Sequence, residues 1–413
     1  MKQLKEQFVK VSHSFVKKAY KANEAASIPP PVKKLWVWGL SKIPLQNVIV
    51  FESKPDFSDN TAAFFKYLSE RKEILSKYKF VWILSDPKSI RKSFYGIPVI
   101  CILRKPSSIA ESIKKIWYLN SARYIVDSNL FVFKRKPEQI RIHLFHGMLV
   151  KDVPEYIKTR KQADVAVTTS PIFHNGLACS DDLPDTLVPL GSPRNDVLVR
   201  NRNARLHSSE KSIIWMPTYR QHKDIYSMRS EVHLPFGLPL LQTNDDFAEL
   251  NNTLSDNSTR LYIRLHPGQD TKGIVFSNFS NITLCDDNYL HAVGMDLYSF
   301  LALKTDALIT DYSSVYYDYL LLDRPIALCW EDLKEFSTRW SMYLPNYEYA
   351  YHCEMLHSLD DLFGFIKQLH LGVDHFTNGR KIDVAAYHTY ADDKACERLY
   401  CLLCDKYRFN EEH

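Results

Sequence analysis

The first residues that could do chemistry lie in the segment Arg141-Ile-His-Leu-Phe-His146-Gly147. An apolar strand would deliver His146 to its carboxyl end, where Gly147 lets the chain turn and a ligand come close. An imidazole there could take a proton from a hydroxyl nucleophile. A single histidine of this kind is more often a hydrogen-bonded core residue. For His143, on the other side of the strand, we favour that structural interpretation.

A second group of polar residues follows expected strands in the second half of the chain. Arg264 and His266 end one strand, and Thr218 and Arg220 end another. Arginine and histidine side chains at the open edge of a parallel sheet favour an anion as the ligand.

A third strand ends at Asp311, and Ser313 and Ser314 lead from it into an expected helix. The free N–H groups and positive dipole end of a helix bind phosphate, although either serine could simply cap the helix. One more polar segment, Gly191-Ser-Pro-Arg-Asn-Asp196, lies where the first half passes into the second. Together these residues indicate a site for a phosphate-bearing donor, a nucleotide diphosphate compound, bound without an obligatory metal or other cofactor.

The elements that must position these residues alternate between strands and helices from about residue 45. Apolar runs rich in β-branched and aromatic residues predict strands at 47–51, 79–84, 98–103, 123–126, 140–145, 164–168, 212–216, 260–265, 281–284, 306–310 and 325–330. Helices are expected at 61–77, 108–119, 245–254, 296–303, 314–322 and 358–370. Such alternation predicts an α/β protein with parallel sheets covered on both faces. The alternating strands and helices form two series, which divide near residue 200. They predict two Rossmann-like domains, 31–200 and 201–413, that face each other across a cleft.

The chain begins with a basic segment. Residues 1–22 hold six lysines and one acidic residue, and so carry the whole formal net charge of +5. One helical face there collects the apolar residues Leu4, Phe8, Val11, Phe15 and Ala19. A basic amphipathic helix suits the surface of an anionic membrane, and equally a helix docked on the protein's own core. Residues 1–30 are therefore predicted as an amphipathic helix and a linker ending in Pro29-Pro30.

The rest of the composition excludes several classes. Outside residues 1–22 the chain has 47 basic and 47 acidic side chains, whereas a nucleic-acid-binding domain carries excess positive charge on its folded body. The sequence contains no run of 18 or more apolar residues, the length that a helix needs to span a bilayer. Lys5 and Lys10 interrupt the apolar core that a secretory signal would need. The eight cysteines lie mostly in apolar stretches, which is typical of reduced thiols in the cytosol.

Several sequence motifs of common enzyme classes are absent. The chain has no GxxxxGK[ST], GxGxxG, HExxH or GxSxG motif, which argues against P-loop NTPases, nicotinamide dehydrogenases, zincins and α/β-hydrolases. Cys396, Cys401 and Cys404 include one C-x2-C pair, but a second pair is missing and Leu402-Leu403 read as helix core. No metal site is expected.

The ordered set of motifs resembles the CDP-glycerol glycerophosphotransferase family, whose members build teichoic acids and capsules. The matching segments are His146-Gly147 with Lys151, 191–196, 217–220, 264–267 and 310–314, and the resemblance extends in the first half to 51–53, 58–60 and 81–82. Residues 311–325 are close to the family pattern throughout, and the resemblance spans roughly residues 45–335. It implies a GT-B fold with an N-terminal acceptor-side domain and a C-terminal CDP-donor domain. The implied reaction moves glycerol phosphate from CDP-glycerol to a membrane-linked acceptor and releases CMP.

The resemblance also implies roles for individual residues. His146 would be the base acting on the acceptor hydroxyl, and His266 a second catalytic residue beside the donor pyrophosphate. The donor-binding set then comprises Thr218, Arg220, Arg264, His266, Asp311, Ser313 and Ser314. Gly147 and Lys151 would lie on the acceptor side. The implied acceptor is a lipid-linked saccharide or polyol phosphate, which would place the protein peripherally on the cytoplasmic face of the cell membrane.

Two departures from the family pattern leave the acceptor open. Phe145 stands where relatives commonly have tryptophan, and Met148-Leu149 where they often have Thr-Pro. Three other functions remain as alternatives: transfer of ribitol phosphate from CDP-ribitol, glycosyl transfer from a nucleotide sugar, and a catalytically silent relative that scaffolds an envelope-assembly complex.

Overall fold

The computed structural model describes residues 40, 42–129, 132–148, 163–174, 186–203, 210–220, 234–270, 279–334 and 351–411. The predicted amphipathic helix and linker, residues 1–30, lie outside these ranges, and so does Lys151. Within the described ranges, no helix combines the length and the hydropathy that crossing a membrane requires.

The first half of the chain forms a parallel sheet. Its strands are β1 (Gln46–Glu52), β2 (Lys79–Leu84), β3 (Ser93–Phe94), β4 (Ile97–Pro98), β5 (Ile100–Leu103), β6 (Ala122–Asp127), β7 (Ile140–His143), β8 (Val165–Val167) and β9 (Leu187–Val188). β3 and β4 form a small antiparallel hairpin, and the others pair in parallel in the order β5-β2-β1-β6-β7-β8-β9. Residues 48–51 of β1 are completely buried, as a strand covered by helices on both faces requires.

The second half forms a second parallel sheet. Its strands are β10 (Lys211–Met216), β11 (Thr259–Ile263), β12 (Ile282–Leu284), β13 (Ala307–Thr310), β14 (Ile326–Cys329) and β15 (Glu354–Leu356), ordered β12-β11-β10-β13-β14-β15. In each sheet the strand order reverses once, between β1 and β6 and between β10 and β13. Ligands of open α/β sheets bind beyond the carboxyl ends of the strands at such reversals. The predicted α/β, GT-B-like class with two Rossmann-like sheets is confirmed.

The helices cover the faces of these sheets. They are α1 (Asp59–Ser69), α2 (Lys72–Lys77), α3 (Ile109–Ser121), α4 (Asp196–Arg200), α5 (Asn244–Asp256), α6 (Asp287–Ala292), α7 (Leu297–Lys304), α8 (Val315–Leu320), α9 (Leu359–Leu371), α10 (Thr377–Tyr387) and α11 (Ala395–Tyr407). The prediction of a single helix at 61–77 is wrong, because residues 70–71 are not helical and separate α1 from α2. The predicted strand at 98–103 is likewise divided, between the hairpin and β5.

The last helix of the chain packs against the first sheet. Cys396, Leu399 and Leu403 of α11 are buried in the same core as Phe51 and Tyr124. The helix is therefore part of the first hydrophobic core, although the sequence placed all of residues 201–413 in the second domain. The apolar face of α11 accounts for this difference, since Cys396 and Leu403 pack into the first core. Among the described residues, no cluster of His, Cys, Asp or Glu could hold a metal ion.

Polar contacts fix both ends of α11. The carboxylate of Asp196 accepts hydrogen bonds from the backbone N–H groups of Ala395 and Cys396, at 2.8 and 3.0 Å, and so satisfies the start of the helix. At the other end, the Tyr124 hydroxyl donates to the Tyr407 carbonyl at 2.8 Å. α11 follows the strands of the second sheet in the chain, yet it packs as part of the first domain.

A core truncation tests this placement. We expect Leu403→Ala to destabilise the protein by about 2–5 kcal/mol, because Leu403 is 1% exposed and its removal leaves a cavity. Leu371→Ala makes the same chemical change at a site that is 73% exposed and should cost within about 0.5 kcal/mol. Hydrogen exchange followed by mass spectrometry should show faster exchange in β1 than in the parent protein. Faster exchange in β10 with β1 unchanged would mean that α11 belongs to the second core.

Candidate functional site

His146 follows the carboxyl end of β7. The chain passes through Leu144 and Phe145, whose φ of +54° bends the backbone sharply. The side-chain amide of Asn60, in α1, donates to the carbonyls of Leu144 and Phe145 at 3.2 and 3.1 Å. This turn leaves the His146 side chain 49% exposed, in contact with both protein and solvent.

The imidazole of His146 is held by a buried carboxylate. Its Nδ1 lies 2.5 Å from Oδ2 of Asp59, the first residue of α1. Burial would raise the pKa of Asp59, but the charges of Arg194 and His146 and the hydrogen bond from His146 outweigh it and lower the pKa to about 2. Asp59 is therefore an anion that only accepts hydrogen bonds, so Nδ1 of His146 carries the proton. In the neutral imidazole, Nε2 is then the atom that can accept a proton.

Arg194 links this pair to the second domain. Its Nη1 donates to Oδ1 of Asp59 at 2.5 Å and to the carbonyl oxygen of His146 at 2.8 Å. Its Nη2 donates to Oδ2 of Asp318, in α8, at 2.6 Å. The side chains of Arg194, Asp59 and Asp318 are only 3–6% exposed. One guanidinium therefore joins α1 of the first domain to α8 of the second.

Two further donors hold Asp318 in place. The Tyr298 hydroxyl donates to Oδ2 at 2.7 Å, and the Asn195 side-chain amide donates to Oδ1 at 2.8 Å. The guanidinium of Arg194 also lies over the Tyr298 ring, 4.7 Å from its centroid. Burial would lower the pKa of Arg194, but Asp318 and Asp59 outweigh it and raise that pKa. Both buried carboxylates thus have charged and neutral donors.

The two domains touch directly at Gly147. A Cβ atom on Gly147 would lie 2.2 Å from Oγ and 2.9 Å from Cβ of Ser314, the residue that precedes α8. Only glycine permits this approach, which brings the His146 loop against the start of α8. Among the described contacts, the Ser314 hydroxyl makes no capping hydrogen bond. The Ser313 hydroxyl does accept the backbone N–H of Val315, the first residue of α8, at 3.4 Å, so the capping alternative applies to Ser313.

Thr218, Arg220 and Asp311 meet at the reversal between β10 and β13. Oδ1 of Asp311 accepts the backbone N–H of Thr218 at 2.8 Å, and Oδ2 accepts Nη1 of Arg220 at 2.9 Å. The same guanidinium donates through Nε and Nη2 to Asp332 at 2.6 and 3.0 Å. With its side chain 2% exposed and paired to two carboxylates, Arg220 braces the loops that follow these strands.

Arg264 and His266 lie beyond the carboxyl end of β11. Arg264 donates to the Cys285 carbonyl at 2.9 Å and to Asp287 at 2.6 Å. Nδ1 of His266 accepts the Gly268 backbone N–H at 2.9 Å. A neutral imidazole that accepts at Nδ1 carries its proton on Nε2, so the exposed His266 presents an N–H donor, the polarity that suits a phosphate oxygen. This is the opposite tautomer to that of His146.

The loops of the second domain form one surface. The rings of Tyr219 and His266 lie 4.8 Å apart, and the Arg220 backbone N–H donates to the Gln269 side chain at 3.2 Å. The loops after β10 and β11 are thus neighbours, and Asp311 joins them to the loop after β13. The structure therefore gathers the predicted donor-side residues along one sheet edge, and Ser314 connects that edge to Gly147 and His146.

His143 belongs to a separate, buried network. Its Nδ1 lies 3.0 Å from Asp127, whose other oxygen accepts Nη2 of Arg141 at 2.6 Å. All three side chains are fully buried, which confirms the structural interpretation of His143. Close by, burial and the charge of Asp127 raise the pKa of Glu52 to about 8.

Sequence reasoning gave no role to Asp59, Arg194 or Asp318. All three lie in segments that carried the family resemblance, and Asp318 is also an acidic residue within the apolar run Val-Tyr-Tyr-Asp-Tyr-Leu. A charged residue in such a run needs a partner when buried, and that was the available signal. The sequence could not identify that partner, because the paired residues lie more than 100 positions apart in the chain.

Comparisons with known proteins agree on one family. A sequence model of the CDP-glycerol:poly(glycerophosphate) glycerophosphotransferase family matches residues 40–405. The chain is 23% identical to a teichoic acid glycerol-phosphate transferase of Staphylococcus aureus, over 87% of this chain and 93% of that protein. It is 26% identical to a teichoic acid poly(glycerol phosphate) polymerase of Bacillus spizizenii, over 70% and 75%. The structure of the wall teichoic acid polymerase TagF shares the fold, with a TM-score of 0.69, 19% identity and coverage of 92% and 93%.

A glycine substitution tests the contact between the domains. Gly147→Ala should destabilise the protein by about 1–3 kcal/mol, because its Cβ would overlap Ser314. Gly96→Ala is the matched control, since Gly96 has a φ of +76° and nothing within 4 Å of an added Cβ, so it reports backbone strain alone. Urea unfolding measures both.

The source of the Gly147→Ala cost can be separated further by repeating the substitution in a Ser314→Gly background. The cost should shrink there, because the overlapping Oγ and Cβ atoms are gone. An unchanged cost, or one equal to that of Gly96→Ala, would contradict the contact.

Proposed function

The chain belongs to the CDP-glycerol:poly(glycerophosphate) glycerophosphotransferase family, and on that premise we propose that His146 is the base that activates the acceptor hydroxyl. The chain is a CDP-glycerol glycerophosphotransferase of teichoic acid synthesis. The observation that supports His146 as its base is the 2.5 Å hydrogen bond from Nδ1 to the buried Asp59. That bond leaves Nε2 of a half-exposed imidazole as the proton acceptor.

The transfer step follows from the chemistry of the donor. The acceptor hydroxyl oxygen attacks the phosphorus that bears glycerol, and the bond from that phosphorus to the bridging oxygen breaks. CMP leaves with the bridging oxygen, while the hydroxyl proton passes to Nε2 of His146. Such a transfer depends on positioning the reactants and on stabilising the charge of the departing phosphate.

The second domain supplies the donor side of this proposal. His266 presents an N–H donor, and Ser313 and Ser314 are half-buried hydroxyls at the loop after β13. Arg264 contributes positive charge at the same edge. Thr218, Arg220 and Asp311 hold the loops that carry these groups, so we assign them a supporting role in donor binding rather than direct contact.

The acceptor side lies on the first domain. Gly147 lets the His146 loop approach the donor edge, and Lys151 follows four residues later in the chain. We propose as acceptor a lipid-linked saccharide or polyol phosphate at the cytoplasmic membrane surface, reached with the help of the basic residues 1–22.

Release of CMP tests the base. The purified protein, given CDP-glycerol and a lipid-linked saccharide acceptor, should release CMP only when acceptor is present. His146→Ala should lower this rate by about 10²–10⁴-fold, because the proton acceptor is lost. His370→Ala, at an exposed histidine of α9, is the matched control and should leave the rate unchanged.

Donor binding separates the two histidines. Calorimetry should show that His146→Ala binds CDP-glycerol as the parent does, whereas His266→Ala binds it more weakly. Full activity in His146→Ala would reject this residue as the base. Release of CMP from CDP-ribitol but not from CDP-glycerol would change the donor and keep the site, and turnover of a nucleotide sugar alone would reject the reaction.

The membrane proposal has its own test. Replacing all six lysines of residues 1–22 by glutamine removes their charge and keeps Phe8 and Phe15. We expect this variant to lose most binding to anionic vesicles in a flotation assay, since each basic residue near such a surface contributes about 1 kcal/mol. Turnover of a soluble acceptor analogue should be unchanged. Undiminished flotation would show that another surface of the protein binds the membrane.

A further inference from the structure

We infer that Arg194 is a positioning residue that makes the alignment of the base depend on the docking of the donor domain. This inference rests on the proposed role of His146. Arg194 contacts both the backbone carbonyl and the side-chain partner of His146, yet its own side chain is only 6% exposed. It therefore acts through Asp59.

Both carboxylate oxygens of Asp59 accept hydrogen bonds. Its Oδ2 accepts Nδ1 of His146, and its Oδ1 accepts Nη1 of Arg194 and the backbone N–H of Asn60 at 2.7 Å. A carboxylate bound on both oxygens cannot rotate about its terminal bond without breaking one set of bonds. Because the same Nη1 also binds the His146 carbonyl, one guanidinium fixes the loop and the ring that it carries.

The other carboxylate that Arg194 binds belongs to the second domain. Nη2 of Arg194 binds Asp318, and Tyr298 and Asn195 hold that carboxylate in turn. Asp318 belongs to α8, which begins directly after Ser314. A shift of α8 relative to the first domain must therefore stretch or break the Arg194–Asp318 pair.

The network around His146 is charged. Asp59, Asp318, Arg194 and the Tyr298 hydroxyl are its charged and titratable members. One cation is shared between two buried carboxylates, so a substitution that weakens its pairing with Asp59 would leave more of the negative charge of Asp59 directed at the imidazole. A proton on His146 would then be held more tightly, and the base would be active only at higher pH.

Taken together, these contacts make Arg194 sensitive to both domains. When the donor-bearing domain is docked, Arg194 is held by Asp318 and aligns Asp59 with His146. When the domains separate, the cation loses one partner and the dyad loses its fixed orientation. The base is thus aligned only when the donor edge is in place.

The pH dependence of CMP release tests this proposal. Arg194→Lys keeps a positive charge but cannot bind two carboxylates and a carbonyl from one planar group. We expect kcat to fall about 10²-fold with the KM for CDP-glycerol nearly unchanged, and the acid limb of the pH–rate profile to move to higher pH.

Arg380→Lys provides the matched control. Arg380 in α10 is also buried and also binds two carboxylates, those of Asp374 and Asp323, but away from His146. Arg380→Lys should lower the stability of the protein without moving the acid limb of the pH–rate profile. If Arg194→Lys loses activity only in proportion to its unfolded fraction, or leaves the pH limb where it was, Arg194 is merely structural and the inference fails.

A milder variant covers the case in which Arg194→Lys does not fold. Tyr298→Phe removes one donor to Asp318 and keeps the ring beneath Arg194, so a smaller fall in kcat with the same direction of pH shift is expected. Unchanged kinetics in Tyr298→Phe would argue against the Asp318 half of the bridge.

The base itself can be separated from its positioning by a double variant. In a His146→Ala background, Arg194→Lys should cause little further loss, because the two residues act as one unit. Independent losses that multiply would overturn the inference while leaving His146 as the base. Full activity of His146→Ala alone would reject the proposed function, whatever Arg194 does.

Discussion

The structure depends on one buried bridge, in which the guanidinium of Arg194 joins Asp59 to Asp318. Removing three charged groups from water costs several kcal/mol for each, and only complete pairing offsets that cost. Here each carboxylate has both oxygens engaged, by His146 and Asn60 on one side and by Tyr298 and Asn195 on the other. The two domains must therefore dock in one register, because any other would leave a buried charge unpaired.

A second buried arginine shows how differently the same chemistry is used within one domain. Arg220 also binds two carboxylates, Asp311 and Asp332, but both belong to the second sheet's own loops. That pairing stiffens the donor edge without linking the domains. The edge is thus rigid by itself, and its position relative to His146 is set separately by Arg194 and by the close approach of Gly147 to Ser314.

The sequence predicted what local pattern controls. Strand runs indicated the two parallel sheets. Residue type at strand ends predicted His146, His266 and Ser314 for one cleft, and of this set the structure shows Ser314 against Gly147, the residue after His146. The sequence could not give the Arg194 bridge, whose partners lie 135 and 124 residues away along the chain. Nor could the sequence show that α11 packs in the first core, since the apolar face of an amphipathic helix does not identify the surface against which it packs. The left-handed backbone of Phe145, which turns His146 towards Asp59, likewise has no local signal.

Two acidic residues of the first domain show how environment sets protonation. Asp59, paired with Arg194 and His146, has its pKa lowered to about 2, so it stabilises the fold above its ordinary value of 3.8 and loses that effect as the pH falls towards 2. Glu52, buried beside Asp127, has its pKa raised to about 8, so the folded state loses stability as the pH rises from 4.5 towards 8. Near neutral pH the first domain thus keeps its anion at Asp59, which accepts the hydrogen bond from His146, whereas burial favours the protonated form of Glu52.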